Sequence, residues 1–577
     1  MHVKRPNVIF ILTDDQGVAD LGCSGNPWLE TPQLDRLHRE SVRFTDFHVS
    51  PLCTPTRGAL MTGRRPVRNG AWATAWGRSI LKRDETTMAD LFKAGGYRTG
   101  MFGKWHLGDN SPYRPMDRGF DTVVAHKGGG VGQTPDFWGN NYFDDVYFDN
   151  GMPQDYDGYC TDVWFEQAAA FIRSCERTPF LAYIATNAPH SPYLVDESYA
   201  GPYRGNPDIP NPEFFGMIAN IDENIGRLRA LLDELGIAQD TILMFMTDNG
   251  SSGGCETDAA GFVTRGFNAG LRGKKGSRYD GGHRAPWMIH WPAGELTGGR
   301  DIGELALHVD VLPTLIELCE LDAPHDLAFD GTSLAPLLRG EKEELEDERI
   351  HHIDLRQSTE PPGIWDGCVM TREWRLVHGS ELYDIRNDPG QRMNVARQHP
   401  DVVARLRNAQ EAWWRDIGPR MQEYAHISIG LAAENPTRLD AMDVLGDVAW
   451  NQTHIAAAQR SAGTWRVNVE RAGHYRFALR RWPEELGLPV DAGISQEAAD
   501  RLAPYTQNVT PRTISPVKAV VTLFGREVEV DVHPGDREAV VDMELSEVGE
   551  TRLDAWFADA GGEKCGAYYV YVTRGND

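Results

Sequence analysis

Asn7–Gly17 reads NVIFILTDDQG, an apolar and β-branched run that passes directly into two adjacent acids. A continuous apolar run of this kind suits a strand buried on both faces of a parallel sheet. Acids just past its end stand where open α/β sheets gather their ligands. Three further runs read the same way: Phe180–Ala185 (FLAYIA), Thr241–Thr247 (TILMFMT) and Pro286–His290 (PWMIH). Helices are predicted over Thr31–Glu40, Thr86–Ala94 and Phe214–Leu235, the first opening on a Thr cap with proline in its first turn. Strands alternating with helices predict an α/β fold: a large, mostly parallel sheet flanked by helices.

Further along, the texture changes. Arg339–Arg349 (RGEKEELEDER) reads as an exposed connector or helix face, and Ile350–Gly418 mixes short strands with a helix over His399–Trp414. From about Gly430, runs such as TWRVNVE, HYRFALRRW, KAVVTLF and AYYVYVTR alternate in period two, the pattern of a β-sandwich. The expected division is an α/β core over residues 1–345, a small α+β subdomain over 346–429 and an appended all-β sandwich-like domain over 430–577. Trp450, Trp465, Trp482 and Trp556 of that last part are expected in its core.

With 58 basic and 84 acidic residues the formal charge is −26, which argues against nucleic acid as a partner. Eight scattered cysteines without a CxxC pair form neither a disulfide framework nor a zinc ribbon. The apolar run near the start is too short for a secretory signal, and no stretch has the length of a membrane span. The expectation is a cytoplasmic protein with no membrane partner.

The chemistry-bearing residues cluster at strand ends. Asp14 and Asp15 follow the first buried run, and Asp248 and Asn249 follow another. Each pair alone could be an ordinary turn. Together they make an all-oxygen ligand set suited to calcium or magnesium rather than zinc. GKWHLG sets Lys104 and His106 two residues apart, on one face if the segment is extended, where a histidine beside a fixed cation could shuttle protons. His190 lies in a loop past FLAYIA. LRGKKGSRYDGGHRAP offers Lys274, Lys275, Arg278 and Arg284, either a basic surface loop or a cation aimed at an anion. The glycine run His126–Gln133 (HKGGGVGQ) lacks the phosphate-loop pattern and follows no obvious buried strand; it reads as a flexible loop lining a pocket with Trp138.

Cys53-Thr54-Pro55-Thr56-Arg57, continued by GALMTG, completes the set. These stretches resemble the type I sulfatases of the alkaline phosphatase superfamily, whose hallmark is C-x-P-x-R. The resemblance runs from NVIFILTDDQG to LYDIRNDPGQRMNVA (Leu382–Ala396) and leaves the region after about residue 430 uncovered. It implies that a maturation enzyme oxidises Cys53 to formylglycine, whose hydrate is the nucleophile. By the same resemblance Asp14, Asp15, Asp248, Asn249 and the modified residue 53 hold one divalent cation, calcium in most relatives, with magnesium or manganese as alternatives. Arg57 and Lys104 steady the hydrate, His190 and Lys275 face the sulfate and the leaving oxygen, and His106 is the base that expels sulfate. Lys275 is preferred over Lys274 because the motif lysine directly precedes G-[ST]. Thr56 and Asp280 stand where Ser and Glu are common. The implied substrate is a small anionic sulfate ester of the arylsulfatase type, with cross-activity on phosphonate monoesters or phosphodiesters. The aromatics of Ala71–Arg78 and Gly128–Asn141 suit an aryl group or a sugar face.

Two alternatives stand beside this reading: an enzyme acting primarily on phosphonate monoesters or phosphodiesters, and an inactive carbohydrate-binding homologue. A papain-like thiol hydrolase fails, because no C-G-[SA]-C-[WY] context surrounds Cys53. The appended β-domain reads as an oligomerisation module, a lid over the neighbouring site or a glycan-binding sandwich; of these a homo-oligomer is the expectation.

Overall fold

A computed structural model describes residues 5–346, 348–354 and 362–575. Its largest layer is a ten-stranded sheet among the described residues. In chain order the strands are β1 (Asn7–Thr13), β2 (Val42–His48), β3 (Arg98–Lys104), β4 (Thr122–His126), β5 (Val146–Asp149), β6 (Met152–Asp155), β7 (Phe180–Ala185), β8 (Thr241–Thr247), β9 (Trp287–His290) and β10 (Asp301–Leu307). The spatial order is β10-β2-β9-β8-β1-β7-β3-β4-β5-β6. The centre, β8-β1-β7-β3-β4, is parallel. Every residue of β1, β7 and β8 is buried, as their unbroken apolar runs require. β9 departs from expectation: it is antiparallel to both β8 and β2, so its apolar run marks burial and not direction. The β5–β6 hairpin closes the far edge, with exposed Pro153 blunting the last strand.

Helices cover both faces. On one side lie α1 (Pro32–Glu40), the long Cys160–Cys175 helix and Pro212–Glu234; on the other lie Met88–Ala94 and Val311–Leu318. Two apolar cores result, one beneath each face. The predicted helix limits hold to within three residues, with one local difference. Thr31 does not cap α1; its hydroxyl accepts from the Gly22 amide at 2.8 Å.

A four-stranded antiparallel sheet (His351–Asp354, Gly367–Met370, Trp374–Val377, Glu381–Asp384) and the helix Pro400–Ile417 follow the large sheet. Asp347 of the charged connector lies outside the described residues. From Ile427 the chain forms two packed sheets, seven-stranded and four-stranded, with an apolar core between them. Trp465 and Trp482 are buried there as expected, while Trp450 and Trp556 are only half-buried. All eight cysteines are free. Among the described residues no helix is long and apolar enough to cross a membrane.

Candidate active site

The register of the parallel sheet assembles the site. β1 and β8 run side by side with Thr13 opposite Thr247, so Asp14 and Asp248 leave the sheet at one level. Asp15 takes a left-handed turn (φ 68°), and its amide donates to Asp248 Oδ1 at 3.0 Å. β3 ends in Lys104, whose Nζ lies 2.5 Å from Asp14 Oδ2. Gly103 must be glycine, because its φ is +108° and a Cβ would fall 2.1 Å from the Ala185 carbonyl oxygen. The loop after β7 supplies His190, with Nε2 3.7 Å from Asp15 Oδ2.

The helix α2 (Cys53–Thr62) starts at Cys53 and is buried along its whole length. Cys53 Sγ lies 4.0 Å from Asp15 Oδ1 and 3.8 Å from Lys275 Nζ. Arg57, one turn on and fully buried, donates through Nε and Nη2 to Asp248 Oδ2 at 3.2 and 2.8 Å. Lys275 contacts Asp15 at 2.5 Å. Lys274 turns away to the Cys255 carbonyl at 3.4 Å, so of the two lysines it is Lys275 that reaches this cluster. Arg278 faces Asp366, and Arg284 donates to Thr45 O; neither enters the cluster.

Charge balance explains why this cluster can be buried. Three carboxylates (Asp14, Asp15, Asp248) each meet a cation (Lys104, Lys275, Arg57), without which burying them would be prohibitive. Burial opposes ionisation of Asp15, but Lys275 and His190 outweigh it and hold that carboxyl low. Burial and the adjacent Asp14 push Asp248 up to about 7 against the pull of Arg57. Burial, then Asp14, push the Cys53 thiol well above its ordinary range. A thiol so held is in the wrong state to attack as a thiolate.

Cation binding fits this donor set. The carboxylates of Asp14, Asp15 and Asp248 each offer an oxygen within 4.8 Å of the others. Asp14 Oδ1 and Asn249 Oδ1 are buried and lack a hydrogen-bond partner, although Asn249 Nδ2 donates to Asp15 Oδ1 at 2.9 Å. Unsatisfied buried oxygens of this kind are costly unless something coordinates them. All are hard oxygen donors, as calcium and magnesium prefer.

His106 stands apart from the extended geometry expected of it. Its backbone is left-handed (φ 58°), and its Nε2 contacts the Thr74 carbonyl oxygen at 3.1 Å. Burial, then Lys104, hold its imidazole well below the ordinary range. The glycine run is also corrected: it follows a buried strand, β4, and packs onto His106, where a Cβ on Gly129 would fall 2.5 Å from His106 Cε1. Trp138, at the end of this loop, packs edge-on against Trp482, 5.2 Å away. Trp72 of the expected specificity loop is buried under Arg78, 4.1 Å from its guanidinium carbon.

Sequence reasoning missed a supporting layer. Arg375, fully buried, donates to Asp280 Oδ1 at 3.2 Å and to Asp46 Oδ1 at 2.9 Å. His48 and His283 pair within the same cluster, Nδ1 to Nδ1 at 2.8 Å. Asp280 opens the turn whose Gly282 carbonyl accepts from Gly250, next to Asn249, at 2.9 Å. A signal was present in the GGHRAP stretch, but the partner Arg375 lies 95 residues away.

The sulfatase family model matches residues 6–321, and the C-terminal model of N-sulphoglucosamine sulphohydrolase matches 274–413. Steryl-sulfatase of Mus musculus is 31% identical over 519 residues, covering 71% of this chain and 81% of that protein. N-acetylgalactosamine-6-sulfatase of Homo sapiens is 31% identical over 363 residues, covering 58% of this chain and 66% of that protein. Among solved structures, Ps i-CgsB in complex with k-i-k-neocarrahexaose matches at TM-score 0.63 and 25% identity, covering 73% of this chain and 95% of that one.

Proposed function

Because the chain belongs to the sulfatase family of the alkaline phosphatase superfamily and is a sulfuric ester hydrolase, we propose that it cleaves sulfate esters with a formylglycine hydrate at position 53. The observation that carries this reading is the seat of Cys53: a buried thiol at the head of α2, between Asp15 and Lys275 and one turn above a buried arginine. Sγ stands in for one oxygen of the hydrated aldehyde that oxidation of this side chain by a maturation enzyme would leave.

Asp14, Asp15, Asp248 and Asn249 would hold a divalent cation, for which we propose calcium. When bound, it would add two positive charges to a cluster whose three acids and three bases otherwise cancel, and so favour an anionic ester. Arg57 and Lys104 orient the diol. One diol oxygen would attack sulfur, passing its proton to the neighbouring carboxylates, while the bond from sulfur to the ester oxygen breaks. The leaving oxygen takes its proton from the side where His190 and Lys275 stand. His106 then removes the proton of the second hydroxyl, the bond from carbon to the sulfated oxygen breaks, sulfate leaves, and the aldehyde is restored for rehydration.

The substrate class we propose is an aryl or sugar sulfate, with weaker turnover of phosphonate monoesters or phosphodiesters, whose tetrahedral anions the same cations would meet. We also propose the division 1–345, 346–429 and 430–577, the last module pairing with the strand Ile427–Ile429, and a homo-oligomeric, cytoplasmic enzyme. Mass spectrometry of the peptide containing Cys53, from protein co-expressed with a maturation enzyme, tests the central claim. An aldehyde mass with aryl sulfate turnover is expected; an unmodified thiol in fully active protein would refute it.

A further inference from the structure

His106 is enclosed by two loops, each with internal hydrogen bonds of its own, such as Trp72 N to Arg78 O at 3.0 Å and Gly129 N to Gln133 Oε1 at 2.8 Å, and each tied further from outside. Residues 71–79 bring the Thr74 carbonyl to its Nε2, and residues 128–139 lay Gly129 against its ring. Both loops are fastened by the appended β-region, which lies beyond residue 413, where the family matches end.

The fastening of the glycine loop is extensive. Tyr505 donates to the Val131 carbonyl at 2.8 Å, and its hydroxyl sits where a Cβ on Gly130 would fall 2.5 Å away. Gln452 donates to the Gln133 and Phe137 carbonyls at 3.3 and 3.0 Å and accepts from the Gly139 amide at 2.9 Å. Thr134 donates its amide to the Trp450 carbonyl at 3.1 Å, and Tyr569 donates to the Thr134 carbonyl at 3.0 Å. On the other loop, the Trp76 amide donates to Met442 O at 3.0 Å, and the Ser79 hydroxyl donates to Asp443 at 3.4 Å. Gln452 is buried, so its three hydrogen bonds are not shared with bulk water.

We propose that the appended β-region is part of the catalytic unit in cis: Tyr505 and Gln452 are positioning residues that fix the loops enclosing His106. The inference rests on His106 being the base that releases sulfate. Displacing that base slows only the second half-reaction, the collapse of the covalent sulfate ester. The first half-reaction, made by other residues of the cluster, continues.

The test uses full-length, metal-loaded, formylglycine-bearing enzyme and a chromogenic aryl sulfate. Gln452→Ala, Tyr505→Ala and the milder Tyr505→Phe are compared with wild type and with His106→Ala by rapid-quench kinetics and intact mass. A base displaced by about 1 Å costs up to ~100-fold. The alanine variants should lose ~10- to 100-fold in kcat, lower KM in parallel and show a leaving-group burst with sulfated enzyme accumulating. Tyr505→Phe, which keeps the ring, should show the same burst with a smaller loss. Folded variants with wild-type kcat and no sulfated enzyme would overturn the inference, as would a loss of kcat without ester accumulation. If His106→Ala accumulates no ester, the assignment of His106 itself falls, which separates that failure from failure of the clamp.

Discussion

Replacing Arg375 with methionine tests whether the layer beneath the catalytic cluster is held by charge. The guanidinium is fully buried and serves both Asp280 and Asp46, at 3.2 and 2.9 Å. Burial drives both carboxyls upward, and Arg375 outweighs it to hold them below the ordinary range. Removing one partner of a buried pair costs ~3–5 kcal/mol. Asp46 keeps its contact with His48 Nε2 at 2.9 Å, so the expected loss is about 4 kcal/mol near neutral pH. The pH dependence follows from the signs. In the wild type the carboxylates stay ionised on folding, and their contribution is lost only as pH falls below about 4. In the variant both carboxyls are freed to rise and to protonate at mildly acidic pH. The deficit should therefore narrow as pH falls from about 7 to about 4.5. Urea unfolding at the two pH values measures it, and Arg375→Met with Asp280→Asn closes a cycle with coupling of ~1–3 kcal/mol. A loss below ~1 kcal/mol near neutral pH, or a deficit that grows on acidification, would refute the reasoning.

Cys53→Ser should release about one equivalent of leaving group and stop, because a serine ester has no second hydroxyl to expel sulfate; continued turnover would sink the hydrate. Lys275→Ala should lower kcat/KM by ~100-fold or more, as loss of a charge-bearing donor at the reacting centre does, while Lys274→Ala changes it less than ~3-fold. Equal effects would contradict the geometry that sends Lys274 to the Cys255 carbonyl. Burial and Lys104 keep His106 unprotonated well below its ordinary range, so kcat should show no fall as pH drops through about 6.5. An acid limb centred there, absent in His106→Ala, would count against that environment.

Local pattern and chemistry determined much of this protein from sequence alone. Buried runs ending in acids mark β1 and β8, because a strand covered on both faces cannot alternate. Their shared T-D-[DN] ending places Asp14, Asp15, Asp248 and Asn249 together once the two strands are parallel neighbours. Cys53, Pro55 and Arg57 announce themselves within five residues. The period-two runs after residue 430 mark a β-sandwich, because half-buried strands must alternate.

Tertiary structure decided what depends on contacts far apart in the chain. The direction of β9 is invisible in PWMIH, since burial is the same for parallel and antiparallel strands. The glycine run looked loose because glycines permit many conformations, yet Tyr505 and Gln452, over 300 residues away, fix it against His106. The left-handed turn at His106, which aims its ring at Thr74 O, breaks the two-residue periodicity on which a sequence reading relies. Arg375 carries no motif; it matters because the four-stranded sheet delivers a buried cation beneath Asp280. Short-range order is written in the residues themselves, whereas the partners of a buried charge or a catalytic loop are chosen only when distant segments pack.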